Sequence, residues 1–182
     1  RYPHFLFAFL LATIAGTLIT HGFKHWLATP RPAGLLELDT FRLIGPSIHQ
    51  KSMPSGHTLA AFAMAGLIAR LVKQTSIKWL LMIAAAFIGW SRVAVGVHWP
   101  ADVAFGACGG LLSAWIGLKL SDRWLQHFTP TIFRILIAFH ITGACILLGY
   151  SGGFPHTWLF SFITAVSALV YTYQQMRKHK LF

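Results

Sequence analysis

Acidic side chains are what this sequence has least of: four Asp and Glu among 182 residues, against fifteen Lys and Arg. So few carboxylates, two of them (Glu37 and Asp39) in one connecting segment, argue against a two-metal hydrolytic centre. Charge of either sign is scarce as well, at 10% of residues, while 55% are hydrophobic and the mean hydropathy is +0.61. A water-soluble domain has about a quarter of its residues charged, so a soluble class is excluded and an integral membrane protein is expected. Cysteine is limited to Cys108 and Cys145, each alone in its own apolar segment. Without paired spacing they exclude a disulfide framework and a zinc cluster, and both are expected as small buried residues. A net charge of +11 would suggest nucleic acid in a soluble chain. With the basic residues set between apolar segments, it points instead to membrane orientation and an anion site, with no nucleic-acid partner. The chain also lacks an initiating Met, so its natural start is expected upstream of Arg1. The run FLFAFLLATIAG is read as a retained helix, because a charged motif follows it rather than a small-residue cleavage site.

What the sequence does have is apolar length. A spanning helix takes about 20 mainly apolar residues. Six segments approach that length, at about 5–23, 57–73, 77–92, 100–119, 132–150 and 156–174. TPRP, VKQTS, HWPAD, FTPT and SGGFP punctuate them. The fold class expected is therefore all-α, an integral membrane bundle of about six helices forming one domain over residues 1–182. The long connection at 28–54 contains LLELDTFRLIG, which suits either a short amphipathic piece at the interface or a surface loop. With six spans, Lys24, Arg31, Arg42, Lys51 and Arg92 fall on one side and the other ten Lys and Arg on the opposite one. The richer side is expected to be cytoplasmic, so the poorer side, which carries the polar motifs, faces out.

Three polar clusters stand at helix ends. In KHWLATPRP, Lys24 is expected to end the first helix, and Pro30 and Pro32 stop it continuing, leaving Arg31 in a nearby loop. Taken singly, these are a snorkelling lysine and an interfacial arginine. In PSGH, Ser55 suits a helix N-cap, Gly56 lets a ligand approach the backbone, and the helix start attracts an anion. A capped helix alone accounts for all of that except His57, at the mouth of an apolar run. In SRVAVGVHWPAD, Arg92 closes one helix and Pro100 suits the first turn of the next. His98 and Asp102 are four residues apart across that start, so the carboxylate reaches an imidazole nitrogen, or else complements the helix dipole. Ionisable groups at membrane depth are costly, and together the clusters supply three cations, a helix start and two histidines. Phosphoryl transfer needs that set: cations on the phosphoryl oxygens, a nucleophile and an acid for the leaving oxygen.

These three segments, in this order, resemble the signature motifs of the type 2 phosphatidic acid phosphatase superfamily, in its membrane lipid phosphatase branch. The resemblance covers about residues 20–105. It implies His98 as a nucleophile forming a phosphohistidine, Asp102 as the group orienting it, and His57 as the acid for the leaving lipid oxygen. It further implies Lys24, Arg31, Ser55, Gly56 and Arg92 as the phosphate-binding set, with no metal and no cofactor. The partners implied are the bilayer and a lipid phosphate: undecaprenyl diphosphate, phosphatidylglycerol phosphate, phosphatidate or lipid A. The implied location is a bacterial inner membrane, multi-pass, with the site facing the periplasm. Six-span members usually place two helices before the lysine motif. This chain has one before it and two accessory candidates, within 131–176, beyond the aspartate helix. Either further helices precede Arg1 or the accessory ones lie at the C-terminal side. A lipid-to-lipid phosphotransferase using the same site, and a non-catalytic lipid transporter or assembly factor, are the alternatives. Among the other histidines, His21 and His25 are candidates for supporting Lys24, His49 and Lys51 for touching a headgroup, and His156 for covering the site.

Overall fold

The computed structural model describes residues 2–124, 129–149 and 158–178. Among these are six α-helices and one short 3-10 turn, with no strand: α1 (Tyr2–Leu27), the 3-10 turn (Pro32–Gly34), α2 (Gly56–Leu71), α3 (Thr75–Ala94), α4 (Pro100–Trp124), α5 (Pro130–Gly149) and α6 (Trp158–Lys178). The all-helical class expected from hydropathy is what is found. Except in α2, which stops at Leu71, the helices run a little longer than the apolar runs, because they continue into polar ends that need no hydrocarbon. One consequence is a correction. Lys24 does not end α1 but sits in its last turn, and the helix stops at Leu27, where Ala28 takes φ 42° ahead of Pro30.

The segments His4–Gly34, Thr75–Ala94, Pro100–Trp124 and Pro130–Gly149 are long and apolar enough to cross a membrane. The 16-residue α2 is apolar but shorter, and α6 turns polar at its end with Gln174, Gln175, Arg177 and Lys178. The outer surface is greasy, with Leu18 and Phe87 each 69% exposed, as expected where hydrocarbon rather than water is the solvent. Cys108 and Cys145 are both free and exposed, against the expectation of burial. In an apolar helix a small thiol faces lipid as readily as a core, so burial does not follow from its neighbours in sequence.

The chain divides into two compact units, Arg1–Leu125 and Gln126–Phe182. In the first, α4 is the central element and packs closely on both α1 and α2. It does so through small side chains: Gly106, Gly109, Gly110, Ser113, Ala114 and Gly117 are all buried. A Cβ on Gly110 would lie 2.3 Å from the Leu59 carbonyl oxygen, so α4 and α2 meet main chain against main chain. Farther along, Ala8 and Ala12 of α1, Leu67 of α2 and Ala114 of α4 form a buried cluster, with Phe5, Phe9 and Leu118 against it. In the second unit α5 and α6 pack on each other, with Phe133, Leu136, Ile137 and Ala144 buried on α5 and Ala165 and Thr172 on α6.

Candidate active site

Asp102 is where the second and third polar segments meet. It lies in the first turn of α4 and is 1% exposed. Its Oδ2 accepts the Trp99 backbone N–H at 2.8 Å, the Ser52 hydroxyl at 2.5 Å and His98 Nδ1 at 3.3 Å. Its backbone carbonyl accepts the Ser55 N–H at 3.0 Å, which ties the start of α2 to the start of α4. With Oδ2 on Nδ1, the ring proton belongs on that nitrogen and Nε2 keeps its lone pair.

His98 is 3% exposed, in the turn between α3 and α4, and its backbone N–H reaches the Arg92 carbonyl at 3.3 Å. Burial, above all, pushes its pKa below the usual imidazole value, helped by the charges of Arg31 and Lys24 and opposed by the bond to Asp102. The imidazole is therefore neutral at neutral pH, the form a nucleophile requires.

The segment after α1 is stitched to both other motifs. Arg31 donates its backbone N–H to His49 O at 2.8 Å, Nε to Gln50 O at 3.2 Å and Nη1 to Val97 O at 3.3 Å. Trp99 Nε1 donates to Pro30 O at 3.0 Å. The Ser52 and Met53 N–H groups go to the carbonyl and hydroxyl of Thr29, both at 2.9 Å. Lys24 and Arg31 are half-buried at this rim. Arg92, in the last turn of α3, donates Nε to Ser91 Oγ at 3.1 Å.

His57, the second residue of α2, is exposed, with Arg92, Lys24 and Arg31 near enough to act on its charge. Charges from three separate segments thus converge on one spot in front of α2. The helix end there is open: a Cβ on Gly56 would meet only Thr20 Cγ2, at 3.7 Å. Ser55 occupies the N-cap position with extended backbone, but its side chain makes no capping bond to the helix. The hydroxyl instead accepts from Thr58 Oγ1 at 2.9 Å, and the residue is fully buried. Ser55 is thus tied to the helix start through Thr58, and the first-turn N–H groups remain a face that an anion can take.

From Gly56, Thr20 and His21 a groove of about 450 Å³ runs between α1 and α2 down to Phe9 and Leu67. His25 is exposed, and His49 is held by Ala33 O at 2.7 Å and Ser47 Oγ at 3.3 Å. His156 lies outside the described residues. Ser52 and Thr29 are the polar partners that sequence spacing did not single out.

A model of the PAP2 superfamily matches residues 5–126, which is α1 through α4 and everything just described. The chain belongs to the PAP2 superfamily. Within it, the chain is 31% identical over 132 residues to the undecaprenyl-diphosphatase BcrC of Bacillus subtilis (strain 168), covering 72% of this chain and 65% of that one. It is 35% identical over 121 residues to the bacitracin transport permease protein BcrC of Bacillus licheniformis, covering 64% of this chain and 54% of that one. The chain thus spans between half and two thirds of the length of these PAP2 relatives. Among solved structures it is similar to the crystal structure of Aquifex aeolicus LpxE, with a TM-score of 0.57 and 36% identity, over 62% of this chain and 66% of that one. The PAP2 match ends at the boundary between the two compact units, so α5 and α6 lie beyond it.

Proposed function

We propose that this chain is a membrane lipid phosphatase acting on a lipid phosphomonoester or diphosphate, with undecaprenyl diphosphate the first candidate. The observation that carries the proposal is the buried His98, held through Nδ1 by Asp102 beside Lys24, Arg31, Arg92 and His57. His98 Nε2 attacks phosphorus and the bond from phosphorus to the leaving lipid oxygen breaks, with His57, protonated once the bound phosphoryl anion offsets the neighbouring cations, giving that oxygen its proton. The phosphohistidine cation is balanced by Asp102, while the three cations and the first-turn N–H groups of α2 hold the phosphoryl oxygens. Water then displaces His98 from phosphorus, its proton passing to His57, and free phosphate leaves.

The supporting names are those of relatives: an undecaprenyl-diphosphatase, and a lipid A 1-phosphatase of Porphyromonas gingivalis that is 39% identical over 87 residues. A groove that begins at the helix start suits a ligand whose head is anionic and whose tail stays among apolar residues. The excess of Lys and Arg on the opposite side favours a site at the outer, periplasmic face of an inner membrane. Three fixed cations already supply the charge that a metal would bring, so the mechanism proposed is metal-independent.

The test is phosphate release from undecaprenyl diphosphate in detergent, with EDTA present. Wild type is expected to release phosphate and His98→Ala to lose at least about 10³-fold in rate. Activity abolished by EDTA, or retained by His98→Ala, overturns the mechanism. Transfer of label to a second lipid instead of to free phosphate identifies the phosphotransferase alternative.

A further inference from the structure

Ser52 lies outside the phosphatase motif, three residues before Ser55, yet it is 0% exposed and makes the shortest bond to Asp102. Its hydroxyl donates to Oδ2 at 2.5 Å, the same oxygen that faces His98 Nδ1 at 3.3 Å, and Ser52 Oγ is itself 3.5 Å from Nδ1. A buried serine that needed only to satisfy its own hydroxyl would be served by any nearby carbonyl. This one is spent on the carboxylate that holds the nucleophile. Nor is its aim left to a side-chain rotamer alone. The backbone on either side is pinned to Thr29, through Ser52 N–H to the Thr29 carbonyl and Met53 N–H to its hydroxyl.

We propose that Ser52 is a positioning residue for phosphoryl transfer: it locks the Asp102 carboxylate and takes up part of its charge, so that His98 is held with Nδ1 protonated and Nε2 free. The inference rests on His98 being the nucleophile, as proposed above. Ser52 exchanges no atom with the substrate. While Nε2 bonds to phosphorus the ring becomes cationic, and the N–H on Nδ1 leans on Oδ2. A carboxylate already fixed by Ser52 and Trp99 has no reorganisation left to make at that moment. Because Ser52 competes for the same oxygen, it also keeps the carboxylate from gripping a protonated imidazole too firmly, which would leave Nε2 blocked. The charged and titratable groups acting on His98 are Asp102 of α4, Lys24 of α1, Arg31 of the connecting loop and His57 of α2, while Arg92 at the end of α3 meets it through its backbone carbonyl and acts on His57. Ser52→Ala changes none of these residues.

The experiment follows phosphate release from farnesyl diphosphate, a short prenyl probe, by detergent-purified full chain. Wild type, Ser52→Ala, Ser52→Thr and His98→Ala are compared, with kcat, KM, the pH dependence of kcat/KM and the melting temperature measured for each. Ser52→Ala is expected to lose about 10- to 100-fold in kcat, the effect of one hydrogen bond to a charged group, with KM within about twofold of wild type. Its acidic limb should move to higher pH, because Oδ2, relieved of the hydroxyl, stabilises the imidazolium more strongly. Ser52→Thr, which restores the hydroxyl, should bring the limb back. The proposal is overturned if Ser52→Ala keeps the wild-type kcat, or if its rate falls with the melting temperature while the limb stays where it was. His98→Ala separates the two levels. Should it keep turning over, the nucleophile assignment fails; should it be inactive while Ser52→Ala matches wild type, only the role of Ser52 fails.

Discussion

Helix α4 takes part in a His–Asp pair near each of its ends, and the two pairs share little beyond residue type. At its start, His98 and Asp102 stand 3.3 Å apart with side chains 3% and 1% exposed. At its far end, His4 and Asp122 stand 2.5 Å apart with side chains 19% and 55% exposed. Distance alone would rank the outer pair higher. Company ranks them the other way: Oδ2 of Asp102 also holds Ser52 and the Trp99 N–H, and its backbone holds Ser55. Among the described residues, the outer pair has beside it the bond from Ser121 Oγ to the His4 carbonyl. A carboxylate out of water, with three donors on one oxygen, can set the state of its histidine, whereas one half in solvent competes with water at each moment.

Substitutions at the two ends of α4 put that contrast to the test. Asp102→Asn should lower kcat by about 10²- to 10⁴-fold with the protein still folded, measured as phosphate release beside a melting curve, because the imidazolium loses its counter-charge. A smaller effect follows from the buried position of His98. Since burial lowers its pKa, the neutral form that the proposed nucleophile needs persists to lower pH, and activity is expected to fall only as pH drops through that lowered value. The acidic limb of kcat/KM should therefore lie below the ordinary imidazole value of about 6.5; a limb above it would contradict the buried geometry. The least effect is expected at the far end. Asp122→Asn should leave kcat unchanged and cost about 0.5 kcal/mol of stability, read as a small fall in melting temperature. A large loss of activity there would erase the distinction between the pairs.

The same pairs show what a linear sequence discloses. His98 and Asp102 are legible because they are four residues apart at a helix start, so local geometry alone brings them together. Ser52 is not, because its partner lies 50 residues away and nothing marks one loop serine among others. The helices were legible in hydropathy, since each must be apolar along its length, while their ends ran on into polar turns such as Lys24. Ser55 suits an N-cap by type and holds that position, but Thr58 engages its hydroxyl, a competition visible only once both are in place. The exposure of Cys108 and Cys145 is not legible, because lipid-facing and core-facing positions of an apolar helix have the same composition.

The close approach of α4 to α2 also sets a tolerance. Ser55 and Asp102 are bonded through main chain, and a Cβ on Gly106, one turn beyond Asp102, would sit 2.7 Å from the Ser55 carbonyl oxygen. The spacing between the helix start that bears His57 and the one that bears Asp102 is thus gauged by backbone thickness, with no flexible side chain in between. Anyone grafting this set of residues onto another bundle would have to transplant that glycine with it, or the two halves of the site would arrive out of alignment.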